Sequence, residues 1–177
     1  TGHTLINDQE RLYWGVHVYS PGDKLDVHVD AGFHPINGRK KQVTLGIYFS
    51  DSWLPEYGAN LEIWSGDDAG LVPNVKIYDC VTSIPPLFNR AIVFTCTDNS
   101  WHGISACKST VPIDARRIFV TISYLGDEHA YSNKLKKAYF VARPLDEPNP
   151  DKDALRLIRA NHLLCSTVYN ISGEIKN

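Results

Sequence analysis

Apolar and polar residues alternate over short segments along most of the chain. Lys24 to Asp30 reads KLDVHVD and Arg117 to Tyr124 reads RIFVTISY, so every second residue in each falls on the same face. A period of two over such lengths predicts β-strands, and turn-forming residues separate them. Further strands are predicted at Leu12 to Tyr19, Gln42 to Phe49, Asn60 to Trp64, Val75 to Cys80, Ala91 to Cys96 and Trp101 to Ser105.

A helical period is found only near the C-terminus. Asp151 is predicted to cap a helix whose apolar residues include Leu155, Ile158 and Leu163. The first ten residues form a polar lead-in. Many short strands and one terminal helix predict an all-β core, a double-stranded β-helix or jelly roll, with a C-terminal helix. A chain of 177 residues is expected to fold as a single domain, residues 1–177.

The composition is that of an ordinary globular protein, with 43% apolar and 21% charged residues. The formal net charge is −2 with no basic block, so no nucleic-acid partner is expected. No apolar run approaches the ~20 residues that span a bilayer, so no membrane partner is expected. The chain begins at Thr1 and contains no Met, which indicates a trimmed N-terminus and gives little weight to a missing targeting segment.

The four cysteines, Cys80, Cys96, Cys107 and Cys165, form no C-x-x-C pair. A zinc knuckle or a thioredoxin-like site is therefore not expected. A domain of this size does not need disulfides, and the neighbours of Cys96 and Cys165 are apolar. We expect reduced, structural thiols, hence a reducing compartment and a cytoplasmic location.

His28 and Asp30 are the first candidates for chemistry. On the predicted strand Asp26, His28 and Asp30 share one face, so an imidazole and a carboxylate can reach one point. They are two thirds of the triad that holds non-haem Fe(II) and leaves positions open. His102, in Asn99-Ser-Trp-His-Gly103, is a candidate third ligand from an opposing strand, although taken alone it is better explained as a structural histidine. The other face of the strand carries Leu25, Val27 and Val29.

Arg117 opens the longest predicted strand, with Thr121 and Ser123 on its own face. A buried guanidinium needs an anionic partner because burying an unpaired charge is costly. Bidentate pairing with the carboxylate of a ligand would meet that need. The alternative is an edge-strand arginine paired with an acidic residue of the protein itself.

Six segments occur in an order that is informative although each alone is modest. Together they resemble the Fe(II)- and 2-oxoglutarate-dependent oxygenases, specifically the prolyl-hydroxylase-like branch, over about residues 12 to 125. The segments are Tyr19-Ser-Pro-Gly-Asp23 ahead of His28-Val-Asp30, Val43 to Trp53, Tyr57 to Trp64, Pro86 to Phe94, Ser100 to Gly103, and Arg116 to Tyr124.

The resemblance implies roles for individual residues. It implies that Fe(II) is bound by His28, Asp30 and His102. Many members carry R-x-S on the last strand, whereas here the third residue counted from Arg117 is Phe119. Arg117 is preferred because it shares the polar face, and Arg116 stays open as the match. The residues implied to bind 2-oxoglutarate are Arg117, through the distal carboxylate, Tyr48, through a hydrogen bond to that carboxylate, and the pocket residue Tyr19.

The resemblance also implies an activity. We expect a dioxygenase that hydroxylates an unactivated C–H bond of a peptidyl-proline or small-molecule substrate, releasing succinate and CO₂. Asp30 favours hydroxylation, because halogenating members of the family lack this carboxylate. The implied cofactors are Fe(II) and the co-substrate 2-oxoglutarate, with ascorbate as a further candidate. The alternatives are a cupin-type jelly-roll metalloprotein and a non-catalytic binding module that keeps only the fold.

Three other features have structural explanations. His17 alternates with apolar residues and is expected to be structural. His34 is expected to be a solvent-exposed loop histidine rather than a substrate contact. Gly38-Arg39-Lys40-Lys41 forms a small basic cluster that could suit an anionic substrate, although a solvated loop is the favoured explanation.

Overall fold

The structure, a computed structural model, describes residues 2, 4–30, 32–69, 75–129, 135–136, 138–161 and 163–164. Its regular elements in chain order are β1 (Ile6–Asn7), β2 (Gly15–Tyr19), β3 (Leu25–Val29), β4 (Arg39–Tyr48), β5 (Leu61–Gly66), β6 (Ile77–Ile84), β7 (Ala91–Thr95), β8 (His102–Ile104), β9 (Arg117–His129), β10 (Leu135–Lys136), β11 (Tyr139–Val141), α1 (Pro150–Asn161) and β12 (Leu163–Leu164).

Ten of these strands form two antiparallel five-stranded sheets, and β10 pairs separately with β12. In the first sheet β9 pairs with β1, β2 and β4, and β4 pairs in turn with β7. In the second sheet the order is β11-β3-β8-β5-β6. Residues of both sheets line one interior cavity. The predicted all-β double-stranded β-helix, or jelly roll, with a helix near the C-terminus is confirmed.

Alternation in β9 accounts for the predicted two-residue period. Arg117, Phe119 and Ser123 are buried on its inner face, whereas Ile118 and Val120 on the outer face are partly exposed. The partner strand follows the same rule, since Thr44 and Tyr48 lie opposite Ser123 and Phe119. The polar side chains of β9 therefore point into the molecule, where they can contribute to a site.

The alternation predicted for β3 is wrong at its start. The register between β3 and β8 shifts between Leu25 and His28, which is the mark of a β-bulge. As a result Leu25 faces the cavity with His28, while Val27 and Val29 pack together in a different apolar cluster. Asp26 does not share the face of His28. Its carboxylate points away from the cavity and pairs with the Arg156 guanidinium at 2.7 Å.

Arg143, which follows β11, supports the strands that carry His28 and His102. Arg143 donates from Nε to Glu62 Oε2 (2.8 Å) and from Nη2 to the carbonyl oxygens of Leu25 (3.0 Å) and Ile104 (2.8 Å). One guanidinium therefore ties together β3, β5 and β8. No helix among the described residues is both long and apolar enough to cross a bilayer.

The C-terminal helix is present, but its predicted details need correction. The N-cap is Asn149, whose side chain accepts a hydrogen bond from the Lys152 N–H (3.0 Å), and Pro150 takes the first helical position. Asp151 lies inside the first turn. Leu163 is not a helical residue but begins β12. The predicted polar lead-in contains the short strand β1, which pairs with β9.

The described cysteines are free thiols. Cys96 and Cys107 are buried, as expected, whereas Cys80 is exposed. Burial raises the pKa of Cys96 to about 11, which keeps its thiol protonated. Cys165 lies outside the described residues.

Candidate active site

Two neighbouring strands bring three of the predicted site residues together. His28 of β3 and His102 of β8 are direct cross-strand partners, and Asp30 follows β3 by one residue. The Oδ1 atom of Asp30 lies 3.6 Å from His28 Nε2 and 4.0 Å from His102 Nε2. One ligand atom from each residue lies within 4.8 Å of the other two, a spacing that a single metal ion could bridge.

The hydrogen bonds of the two imidazoles leave their Nε2 atoms free to bind. His28 Nδ1 lies 3.0 Å from the Asp26 carbonyl oxygen, and His102 Nδ1 lies 2.9 Å from the Ser100 carbonyl oxygen. A carbonyl oxygen only accepts, so each Nδ1 carries the proton and donates it. Each Nε2 of the neutral ring then has an exposed lone pair, which is the form that ligates metals.

Aromatic rings hold both imidazoles in place. Phe140 of β11 stacks on His28 with ring centroids 4.6 Å apart, and Phe94 of β7 lies against His102 at 4.7 Å. Burial, together with the neighbouring His28, lowers the pKa of His102 to about 4. Burial alone would raise the pKa of Asp30, but the adjacent Lys41 ammonium opposes this effect most strongly, and the pKa lies well below its ordinary value.

Lys41 belongs to the site although the sequence did not predict it there. The basic cluster lies in β4 rather than in a loop, and each of its cations has a partner. Lys41 Nζ is 2.7 Å from Asp30 Oδ2, Lys40 pairs with Glu128 at 3.0 Å, and Arg39 donates to a backbone carbonyl. The proposed use of this cluster for an anionic substrate therefore loses its support.

Arg117 is fully buried, whereas Arg116 is exposed. Arg117 donates from Nε to the Ala59 carbonyl oxygen (2.9 Å) and from Nη2 to the Tyr48 hydroxyl (3.4 Å). Its third nitrogen, Nη1, is buried without a hydrogen-bond partner. Arg116 donates instead to nearby backbone carbonyls, including that of Ala115 (2.8 Å). Of the two arginines, only Arg117 lies in the interior.

Three aromatic rings surround the Arg117 guanidinium. Its carbon lies 4.7 Å from the ring centre of Tyr19, 5.0 Å from that of Tyr48 and 5.2 Å from that of Phe119. Among the described residues no carboxylate lies within ion-pair distance of Arg117. Burial lowers the pKa of Arg117 from its usual value and raises those of Tyr19 and Tyr48. The positive charge of Arg117 is therefore stabilised by the π faces of these three rings and by the dipoles of the Ala59 carbonyl and the Tyr48 hydroxyl.

Phe119, at the third position of the R-x-S pattern, is accommodated by Gly46 on the adjacent strand. A Cβ atom at Gly46 would overlap the Phe119 ring. The ring uses this space to lie against Tyr48, with centroids 4.5 Å apart. The departure from the family pattern is therefore matched by a missing side chain on β4.

A cavity of about 260 Å³ lies between the sheets, and its wall is largely apolar. The proposed metal ligands line it, as do Tyr19 and Phe119, whose rings also lie against the Arg117 guanidinium. Arg117 itself is not among the lining residues. His17 also lines it, with Nε2 3.2 Å from Thr121 Oγ1. Burial, with a smaller effect of Arg117, lowers the pKa of His17 and favours its neutral form. The other lining residues are Leu12, Tyr13, Trp14, Gly15, Leu25, Lys41, Thr44, Leu61, Phe94, Ile104 and Thr121.

His34 is not solvent-exposed, contrary to expectation. Its side chain and that of Asp8 are both fully buried, with His34 Nε2 3.2 Å from Asp8 Oδ1. His34 Nδ1 accepts hydrogen bonds from the backbone N–H groups of Ile36 (3.2 Å) and Asn37 (3.3 Å). Nε2 therefore carries the proton, and the pair joins the N-terminal segment to the loop after Asp30.

A family model described as the 2OG-Fe(II) oxygenase superfamily matches residues 14–125. This match covers more than half of the chain and includes all six residues predicted for the site. The chain belongs to the 2OG-Fe(II) oxygenase superfamily, as the sequence resemblance indicated. No curated protein sequence matches the chain.

Three solved structures similar to the chain are prolyl hydroxylases. A Pseudomonas putida prolyl-4-hydroxylase is 16% identical over 67% of this chain and 54% of its own, with a TM-score of 0.45. A Trichoplax adhaerens prolyl hydroxylase in complex with a hypoxia inducible factor peptide fragment is 19% identical over 63% and 42%, with a TM-score of 0.41. A Phytophthora capsici prolyl 4-hydroxylase is 15% identical over 83% and 42%, with a TM-score of 0.42. The matched region thus spans about half of each relative or less.

Proposed function

We propose that this protein is an Fe(II)- and 2-oxoglutarate-dependent dioxygenase that hydroxylates an unactivated C–H bond, with release of succinate and CO₂. One observation carries the proposal. Two imidazoles and one carboxylate present their ligand atoms to a common point on the wall of an interior cavity. Membership of the superfamily agrees with this chemistry.

The donor set fits Fe(II). His28, Asp30 and His102 would hold the ion through two Nε2 atoms and one carboxylate oxygen, the combination typical of non-haem Fe(II) oxygenases. When bound, the iron would supply the activation of O₂ that an unactivated C–H bond requires. The protein itself fixes the tautomers, orients the rings and keeps the surroundings apolar.

Arg117 fits the distal carboxylate of 2-oxoglutarate. Its Nη1 atom is buried without an acceptor, and no protein carboxylate neutralises the guanidinium within the described residues. An incoming carboxylate would satisfy both deficits at once, and the Tyr48 hydroxyl stands beside it as a second donor. Because Arg117 does not itself line the cavity while Tyr19 and Phe119 line it and lie against the guanidinium, these two rings would have to move aside to admit the carboxylate.

The substrate is proposed to be a peptidyl-proline or a small molecule. The prolyl hydroxylases among the similar structures favour the first. The largely apolar cavity wall suits an uncharged reacting group, and the basic residues of β4 are occupied elsewhere. Ascorbate as a cofactor, a single domain over residues 1–177 and a cytoplasmic location stay predictions.

The decisive experiment measures succinate formation with Fe(II), 2-oxoglutarate and ascorbate, and screens peptides and small molecules for the mass gain of one oxygen. The wild-type protein is expected to be active and His102→Ala inactive. Thermal unfolding with Mn(II) and 2-oxoglutarate tests binding separately, because a ligand at ~100 times its Kd adds about 2.7 kcal/mol of stability. Metal binding without a 2-oxoglutarate effect would favour a cupin-type protein. Binding of both without turnover would favour a binding module.

Arg117→Ala tests the co-substrate site. This variant is expected to lose most of its 2-oxoglutarate affinity while it keeps its affinity for Mn(II), because Arg117 is not a metal ligand. Arg116→Ala is the matched control, since the same residue type is removed one position away on the exposed side. If Arg116→Ala weakens 2-oxoglutarate and Arg117→Ala does not, the assignment on β9 is wrong by one residue.

A further inference from the structure

The two oxygens of the Asp30 carboxylate have different surroundings. Oδ1 points to the imidazoles, 3.6 Å from His28 Nε2 and 4.0 Å from His102 Nε2. Oδ2 lies 2.7 Å from Lys41 Nζ, which donates a charge-assisted hydrogen bond to it. Only Oδ1 therefore faces the point where a metal ion would be held.

A bulge in β4 aims Lys41 at this carboxylate. Thr44, Gly46 and Tyr48 face the interior, so regular alternation would turn position 42, not 41, inward. The pairing of β4 with β9 shifts register on both sides of Lys41, and this irregularity places the Lys41 side chain in the cavity wall. Bulges beside active sites commonly redirect a side chain in this way.

The Lys41 ammonium is held by few groups. The residue is 7% exposed, and among the described residues Asp30 is the only carboxylate within 4.0 Å of its Nζ. The ring of Tyr13 covers it, with Nζ 5.1 Å from the ring centre. A buried lysine is costly unless it is paired, so the Asp30–Lys41 geometry is strongly preferred over one in which either charge turns away.

We propose that Lys41 is a positioning residue that makes Asp30 a one-oxygen ligand. This inference rests on the proposed function. A six-coordinate ion held by one atom from each of His28, Asp30 and His102 would keep three open positions. A chelating 2-oxoglutarate needs two of them and O₂ needs the third. If Oδ2 were free, it could bind the same ion and close one of those positions.

The test counts the water molecules bound to Mn(II) in the protein without 2-oxoglutarate. Water labelled with a magnetic oxygen isotope broadens the Mn(II) EPR lines in proportion to that number. Wild type and Lys41→Arg are expected to show three waters, and Lys41→Met two. The affinity of Mn(II)-loaded Lys41→Met for 2-oxoglutarate is expected to fall roughly 10–100-fold, the usual size of such effects on a metal site.

Lys40→Met is the matched control. It makes the same substitution one position away and removes an ion pair to Glu128 that is partly exposed, so it should keep three waters and full 2-oxoglutarate affinity. A wild-type structure with Mn(II) provides an independent test that does not depend on variant folding. It should show Asp30 bound through Oδ1 alone, with Oδ2 on Lys41.

The outcomes separate this inference from the proposed function. If wild type binds no Mn(II) at the three residues, both are overturned. If wild type binds Mn(II) and 2-oxoglutarate but Lys41→Met keeps three waters and the same affinity, only the role of Lys41 is overturned. A Mn(II) structure in which both oxygens of Asp30 bind the ion would likewise overturn only the role of Lys41.

Discussion

Among the described residues, two clusters combine aspartate with histidine, and they are suited to opposite uses. At the first, His28 and His102 donate from Nδ1 to carbonyl oxygens and leave both Nε2 atoms facing Asp30 Oδ1. At the second, His34 accepts two backbone hydrogen bonds at Nδ1 and directs its Nε2 proton at Asp8. The imidazoles of the first cluster each have a free ring lone pair to offer a metal ion, and His34 in the second cluster has none.

The difference lies in the backbone around each ring rather than in the residue types. Strand β3 and the segment leading into β8 supply carbonyl oxygens two residues before His28 and His102, which fixes one tautomer. The turn after His34 supplies N–H groups, which fixes the other. A histidine beside an aspartate is therefore a candidate ligand only where its second nitrogen meets an acceptor.

The largest effect is expected from removing one ring of the first cluster. His102→Ala should abolish measurable Mn(II) binding, because two protein ligands cannot replace three in holding the ion. Calorimetric titration with Mn(II) measures this directly. The counterpart in the second cluster is His34→Ala, which should bind Mn(II) as wild type does. Equal loss in both variants would remove the distinction between the clusters.

The next effect is expected from breaking the second cluster. Asp8→Ala should lower the free energy of unfolding by about 2 kcal/mol, because it removes the carboxylate 3.2 Å from the buried His34 Nε2 and the acceptor of the Tyr13 backbone N–H (3.1 Å). Urea denaturation of the metal-free protein measures the loss. Mn(II) affinity should change less than about twofold. A large fall in that affinity would show that the two clusters depend on each other.

A smaller effect is expected from pH. Burial, against the attraction of Asp8, lowers the pKa of His34 below its ordinary 6.5. The unfolded chain therefore binds more protons than the folded one just below pH 6.5, and stability contributed by the neutral ring is lost as pH falls from there through the folded pKa. Unfolding of the metal-free protein in urea, measured from pH 7.5 downwards, should show this decline. His34→Gln should reduce the slope without abolishing it, because burial also lowers the pKa values of His17 and His102. An unchanged slope would contradict the role given to His34.

The smallest effects concern the rings packed on the imidazoles. Phe140→Leu should weaken Mn(II) binding by about fivefold, because a stacked pair contributes about 1 kcal/mol to holding His28 in place. Tyr13→Phe is the comparison in the second cluster. It removes the hydroxyl that donates to the Phe33 carbonyl (2.8 Å) and should cost about 1 kcal/mol of stability without weakening Mn(II). If Tyr13→Phe weakened Mn(II) binding and Phe140→Leu did not, the aromatic residue near one cluster would be controlling the other cluster.

Much of the fold was predictable because a two-residue period is a direct consequence of strand geometry. The predicted strands at Lys24 to Asp30 and Arg117 to Tyr124 correspond to β3 and β9. The bulges were not predictable, since an extra residue in a strand leaves no regular mark in the sequence. One bulge separates Leu25 from Val27, and another turns Lys41 inward.

The candidate site was predictable where spacing decides the geometry. The two-residue spacing of His28 and Asp30 places both side chains at one point, and the face shared with Ser123 indicates that Arg117, not Arg116, lies inside. Spacing does not predict partners distant in sequence. The burial of His34 depends on Asp8, 26 positions away, and the inward position of Lys41 depends on its pairing with β9.

The missing side chain at Gly46 restricts the order in which this region can change. Phe119 occupies the volume that any larger residue at 46 would need. A substitution that enlarges position 46 first would meet the ring at once, whereas one that shrinks position 119 first opens the space. The two positions therefore vary together. An evolutionary path that changes them one at a time must reduce the side chain at 119 before it enlarges the side chain at 46.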